Sequence, residues 1–299
     1  MLEKITKYQK SPEADYKFSV LIPTWNNMDF LKLCISSIKK NSSTKIQIIV
    51  IVNEGNDGTL EWLNEQHNID YIHSEVNIGI CYALNICRSL IKSNYIVYMN
   101  DDMYVLPNWD TELDKEISNM PNKSFMLSAT MIESFDTGNP CVVVKNYGTS
   151  IEEFDEQKIL KEYHTLAIQD WNGSTWPPNV VHKDLWDLVG GMSIEFSPGM
   201  YSDPDFSKKL YESGVRIFKG VGKSLVYHFG SKTTKRLKKS RGRELFLLKW
   251  GTTSNVFVNK ILQRGKPYKP INNRTSTFWD DITGKIKILK LLLTSNKIH

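Results

Sequence analysis

Asn100-Asp101-Asp102 follows directly on the apolar run Tyr95-Ile96-Val97-Tyr98-Met99, which puts two adjacent carboxylates at the exit of a buried strand. Carboxylates in that position can hold a divalent cation. Mg2+ and Mn2+ take oxygen ligands and are often held by one or two carboxylates together with substrate phosphates. An open α/β sheet binds its ligands outside the carboxyl ends of its strands, so place and chemistry agree. A solvated acidic turn is the competing reading. Farther along, Asp203-Pro204-Asp205-Phe206 reads as the start of a short helix ended by Gly214, with Asp203 as N-cap and Pro204 at N1. His228 closes the apolar run Leu225-Val226-Tyr227, where a histidine capping its strand is the plain alternative to a ligand.

The elements that must position these groups alternate regularly through about residue 120. Residues 18–22 read as a strand broken by Pro23, 29–38 as a helix, 46–52 as a strand, 60–66 as a helix, 69–73 as a strand and 80–91 as a helix feeding the run before Asn100. Such alternation predicts βαβ units and a mainly parallel sheet. Beyond it, 125–130, 141–144, 215–218 and 225–227 are strand-like, around a polar insertion at 145–170. Without a repeat or low-complexity linker, the halves are expected to share one sheet. The expected division is 17–120 as a nucleotide-binding half, 121–231 as a second, less regular half, and 232–299 as a basic loop and helical extension.

With 299 residues the chain can bury a large α/β core. Its formal charge of +5 is modest and concentrated after residue 230, in Lys232, Lys235, Arg236, Lys238, Lys239, Arg241 and Arg243. That stretch reads either as a loop closing over a polyanionic ligand or as a solvated charged loop. Cys34, Cys81, Cys87 and Cys141 lack paired metal-ligand spacing, which points to reduced thiols and a cytoplasmic protein. No run approaches the roughly 20 apolar residues of a membrane span. Residues 282–293 interleave Lys285, Lys287 and Lys290 with Ile and Leu in helical register, suited to peripheral contact with the inner face of a membrane or to packing on the protein's own domain.

Several segments in order resemble the inverting family 2 glycosyltransferases of the A-type fold. They are Val20-Leu21-Ile22-Pro23-Thr24-Trp25-Asn26-Asn27, Asn77-Ile78-Gly79 with Ala83 and Asn85, Asn100-Asp101-Asp102, Val189-Gly190-Gly191, Tyr201-Ser202-Asp203-Pro204-Asp205-Phe206 and His228-Phe229-Gly230-Ser231, with Lys249-Trp250-Gly251 resembling a segment that follows in some relatives. The resemblance implies a Rossmann-like, mixed but mainly parallel sheet flanked by helices. It also implies Asp102 and His228 as ligands of Mn2+ or Mg2+, Asp101 facing the ribose, and Asp203 as the base that deprotonates the acceptor hydroxyl. Asp205 is the runner-up base or an acceptor-binding residue. Pro23, Thr24, Trp25, Asn53, Glu54, Asn77 and Gly79 would line the nucleotide pocket.

Two departures stand out. Asn53 and Asn100 occupy places where relatives usually carry Asp, although an Asn oxygen can still accept the N3–H of uracil. Trp171 and Trp176, in a turn-rich segment, suit either a wall that stacks on sugar rings or a core plug. The implied activity is transfer of a sugar from a nucleotide diphosphate donor, a UDP-sugar by this reading, to a hydroxyl of a glycan or lipid-linked glycan. A sugar-phosphate nucleotidyltransferase is disfavoured because residues 23–27 lack a Gly-rich basic loop for a triphosphate. A non-catalytic nucleotide-sugar or glycan-binding protein remains an alternative on account of Asn53 and Asn100. Nucleic-acid binding is not expected.

Overall fold

The computed structural model describes residues 4–230, 241–271 and 277–295. Lys232, Lys235, Arg236, Lys238 and Lys239 of the basic stretch lie outside the described residues. The amino-terminal half builds β1 (Ile5–Tyr8), β2 (Phe18–Trp25), α1 (Met28–Asn41), β3 (Ile46–Asn53), α2 (Thr59–Glu65), β4 (Ile69–Ser74), α3 (Gly79–Ile86), β5 (Tyr95–Tyr98), β6 (Met103–Val105) and α4 (Trp109–Ser118). Then come β7 (Phe125–Glu133), β8 (Val142–Val144), α5 (Glu156–Glu162), β9 (Trp171–Asn172), β10 (Asn179–His182), α6 (Lys183–Val189), α7 (Ser202–Glu212), β11 (Ile217–His228), α8 (Gly242–Trp250) and α9 (Phe278–Ser295).

All the strands join one eleven-stranded sheet, whose main path runs β1-β4-β3-β2-β5-β10-β7-β11-β6. β2, β3, β4 and β5 are mutually parallel, as the alternation predicts, while β10 is antiparallel to both β5 and β7 and carries the sheet past residue 120 without a break. The apolar strands split by parity. Ile49 and Ile51 pack into the core with α3 and α7, whereas Ile48, Val50 and Val52 pack into the opposite core with α1 and α4. A central strand buried on both faces must be apolar throughout, which is why β3 reads as an unbroken run rather than an alternation.

Three sequence expectations are corrected. β2 continues through Pro23, paired with Ile51 of β3. The Leu21 carbonyl accepts from Met99 N, so Pro23, two residues on, faces the same side, where β5 has already ended and no N–H is required. Residues 217–228 form one strand with a register shift between Val221 and Leu225, not two strands. The glycines there serve close approach rather than a turn. A β carbon on Gly220 would strike the Trp171 ring, and one on Gly222 would strike the Ile168 backbone. Finally, α7 begins at Ser202, with Tyr201 as N-cap in the left-handed region at φ 72°, so Asp203 lies inside the first turn and is not the N-cap.

Candidate functional site

Strand order reverses between β2 and β5, and the carboxyl ends of β2, β3 and β5 open there into a cleft of about 230 Å³. Pro23, Thr24, Trp25, Asn53, Asn77, Gly79, Asn100, Asp101, Asp102 and His228 line it, together with Ile80, Pro198 and Gly230, which sequence reasoning missed. Asn77 Oδ1 accepts Gly79 N at 2.8 Å, an Asx turn that sends the chain into α3. Asn53 is buried and its Oδ1 accepts Ile78 N at 3.0 Å, leaving one lone pair of that oxygen for a base N–H.

His228 reaches the acidic motif through sheet register. β6 leaves Asp102 and runs antiparallel to the end of β11, pairing Met103 with His228, and Phe229 N donates to Asp102 O at 3.1 Å. On its other side β11 runs parallel to β7, pairing His228 with Glu133. The ring is therefore held between two carboxylates, with Nδ1 2.8 Å from Glu133 Oε1 and Nε2 3.5 Å from Asp102 Oδ1. Burial works against a charged imidazole, but Asp102 and Glu133 outweigh it and push the His228 pKa up to about 10. Glu133 was not foreseen, since only the β7–β11 pairing brings it to the histidine.

Asp101 is buried, and desolvation, followed by repulsion from Asp102, raises its pKa to about 7. Thr24 and Asn27 favour its ionised form without reaching hydrogen-bonding geometry. Asp101 Oδ2, Thr24 Oγ1 and Asn27 Nδ2 are buried polar atoms with no hydrogen-bond partner among the described residues. Leaving such atoms unmatched costs about 1–3 kcal/mol each, so the arrangement suits a polar ligand that satisfies them. The donor set also fits a hard divalent cation. A carboxylate oxygen and an imidazole nitrogen converge, the imidazole is oriented from behind by Glu133 and would lose its Nε2 proton to bind a cation, and diphosphate oxygens could complete the coordination. Among the described residues no cluster of three or more His, Cys, Asp or Glu forms a complete protein-only site.

Asp203 lies outside the cleft lining, in the half-buried first turn of α7. Burial first, and then the charge of Asp203 ahead of those of Asp101 and Asp102, raise the pKa of Tyr98 at the end of β5. Burial raises the Asp203 pKa to about 7. The helix N-terminus by itself would favour ionisation and weaken the base; desolvation wins here.

Four expected contacts are not made. Glu54 is turned aside, its Oε2 accepting from Asn26 Nδ2 at 3.1 Å while Asn26 Oδ1 holds Gly55 N and Asn56 N. Trp171 is a core plug, 6% exposed, with Nε1 donating to Thr130 Oγ1 at 2.9 Å. Trp176 is not among the residues lining the cleft and packs on the core, with the Arg264 guanidinium 5.2 Å above its ring. Asp205 is fully buried and outside the cleft lining, its Oδ1 accepting from Trp250 Nε1 at 2.8 Å and pairing with Lys249 Nζ at 2.9 Å while its Oδ2 makes no hydrogen bond among the described residues. Lys249 also reaches Ser193 Oγ and Glu195 Oε1, both at 2.9 Å. The Lys249-Trp250 pair thus latches α7 to the 193–201 loop. Lys249→Ala is expected to lower the unfolding free energy by about 2 kcal/mol, because Asp205 loses its cation in a buried setting; urea denaturation measures it.

That loop is also pressed against the donor side. Ile80 N donates to Pro198 O at 2.9 Å, and a β carbon on Gly79, at φ +75°, would sit 2.7 Å from Pro198 Cα. Gly79→Ala combines left-handed strain with overpacking and is expected to cost about 3 kcal/mol in a denaturation experiment, with weaker donor binding.

The model of the family described as Glycosyl transferase family 2 matches residues 19–140, the span that carries β2 to β7 and the acidic motif. Over that span the chain resembles the glycosyl transferases of family 2. Among curated relatives, glycosyltransferase GlyA of Streptococcus pneumoniae is 28% identical over 108 residues, covering 35% of this chain and 15% of GlyA. The chain spans less than two thirds of the length of the curated relatives it matches. Among solved structures, Staphylococcus aureus TarS 1–349 in complex with UDP-GlcNAc superposes with a TM-score of 0.55 at 16% identity, covering 78% of this chain and 65% of TarS 1–349. The mannosyltransferase PcManGT of Pyrobaculum calidifontis, in complex with GDP-Man and Mn2+, gives 0.52 at 14% identity over 97% and 82% of the two chains. These likenesses show the fold, that of the A-type glycosyltransferases.

Proposed function

We propose that the protein is an inverting glycosyltransferase that moves a sugar from a UDP-sugar to a hydroxyl of a glycan or lipid-linked glycan. The observation that carries the reading is the convergence of Asp102 and His228 at the switch point of the sheet, in a cleft that the buried Asp101 also lines. Asp102 and His228 would hold Mn2+ or Mg2+, which when bound supplies charge neutralisation for the departing diphosphate. Mn2+ and nucleotide sugars in solved neighbours support both requirements.

The chain's own residues do the rest. Thr24, Asn53 and Asp101 bind and orient the nucleoside. Asp203 accepts the proton of the acceptor hydroxyl as that oxygen bonds to the anomeric carbon, from the face opposite the breaking bond to phosphate, and configuration inverts. A carboxylate whose pKa is near 7 suits that task, since it is a stronger base than an exposed Asp and still ionises at neutral pH. On this reading residues 17–120 supply donor binding and 121–231 supply the base and the acceptor side.

Thermal-shift measurements with UDP-, GDP- and other nucleotide sugars, each with and without Mn2+, test the donor assignment, and nucleoside diphosphate release over an acceptor panel tests the transfer. Stabilisation by GDP-sugars alone overturns the choice of uridine. Metal-dependent binding with no diphosphate release over the whole panel favours the non-catalytic reading.

A further inference from the structure

The C-terminal helix α9 shows two faces to different surroundings. Its inward face is fixed to the domain. Asp280 is 9% exposed and pairs with Lys260 Nζ at 2.5 Å, and Thr277 Oγ1 caps the helix by accepting Asp280 N at 3.2 Å. Gly284 lies against the Gly251 carbonyl with no room for a β carbon. The outward face is apolar: Ile286, Leu289 and Leu293 are 50%, 58% and 61% exposed. At the helix start Phe278 and Trp279 are 72% and 74% exposed, their rings edge-on at 5.9 Å.

Residues 278, 282, 286, 289 and 293 recur at steps of three and four and therefore fall on one stripe. Exposed Lys290 emerges beside Ile286 and exposed Lys285 beside Leu289, one on each side of it. Hence the sequence alternatives of membrane contact and internal packing apply to opposite faces of one helix.

No helix among the described residues is long and apolar enough to cross a membrane. A stripe of large apolar side chains bordered by lysines matches instead the boundary of a bilayer, where alkyl groups and indoles reach the acyl region and ammonium groups stay with anionic headgroups. We infer that α9 lies in the plane of an anionic phospholipid surface, apolar stripe inward, while its opposite face anchors the rest of the protein. Because Gly284 and Asp280 fix the helix to the domain, the surface contact also fixes the domain's orientation.

Sedimentation of the full chain with vesicles tests this independently of sugar transfer. Wild type is expected to sediment with an equimolar mixture of phosphatidylcholine and phosphatidylglycerol, and to partition at least about tenfold less onto phosphatidylcholine alone. An Ile286→Glu, Leu289→Glu double variant is expected to lose about 100-fold in partitioning. A Lys285→Ala, Lys290→Ala variant, which leaves the stripe intact, is expected to lose about fivefold for each lysine. Circular dichroism of the variants checks that they are folded. The inference is overturned if wild type stays in the supernatant with the mixed vesicles, or if either folded variant sediments like wild type. It is equally overturned if lipid-free wild type is a dimer that the double glutamate variant dissolves, since a second copy then covers the stripe.

Discussion

Asp203→Asn is expected to lower the turnover of sugar transfer by about 10²–10⁴-fold, the range a positioned general base contributes, while leaving donor affinity unchanged. The amide is isosteric but cannot take a proton from the acceptor. Asp203 lies outside the cleft that would hold the nucleotide, so calorimetric titration of UDP with Mn2+ should match wild type. A loss of donor affinity equal to the loss of turnover would show that Asp203 binds rather than reacts. The pH profile is a second reading of the same group. Burial raises its pKa to about 7, so the proton is lost only as pH rises through about 7. Turnover should therefore climb tenfold per pH unit below that value and level off above it. An unperturbed carboxylate would give a plateau from about pH 5 upward.

The second large effect is expected at Asp102. Asp102→Ala should weaken Mn2+ binding in the presence of UDP by at least about 100-fold, beyond what loss of a supporting residue costs. Glu133→Gln, which loosens His228 without touching the ligand positions, should cost about 10–100-fold. Asp101→Asn should weaken UDP binding more than metal binding, because Thr24 and Asn27 rather than His228 are the groups that favour its charge. Titration calorimetry of metal and nucleotide separately distinguishes these outcomes. A metal defect confined to Asp101→Asn would reverse the two assignments.

The acidic motif behind the second prediction is readable in the sequence, and the reason is local, whereas the role of Asp203 came from the resemblance. A strand buried on both faces demands the apolar runs 18–22, 46–52 and 95–99, and an acidic motif directly after the last of them can stand only at its carboxyl end. The parallel half was legible for that reason. β10 and β6 were not, since each is short and owes its strand state to partners on both sides or to the far end of β11.

Side-chain roles in the second half were less legible still. Asp205 and Trp171 carry the chemistry of a sugar site but are consumed by Lys249, Trp250 and Thr130, partners distant in the chain. Gly220 and Gly222 resemble a turn, and only the Trp171 ring and the 168–169 backbone reveal why they are glycines.

By itself the sequence determined the alternation behind the parallel half and the acidic motif at the exit of the 95–99 run, because hydrophobic periodicity and strand-end position are local properties, whereas the roles proposed for Asp102, Asp203 and His228 came from the resemblance. Only the tertiary structure decided that His228 meets Asp102 through β6 and β11 with Glu133 behind it, that burial lifts Asp203 into the range of a neutral-pH base, and that α9 keeps one apolar face uncovered. Register, desolvation and exposure depend on what the rest of the chain places alongside, and no window of sequence contains them.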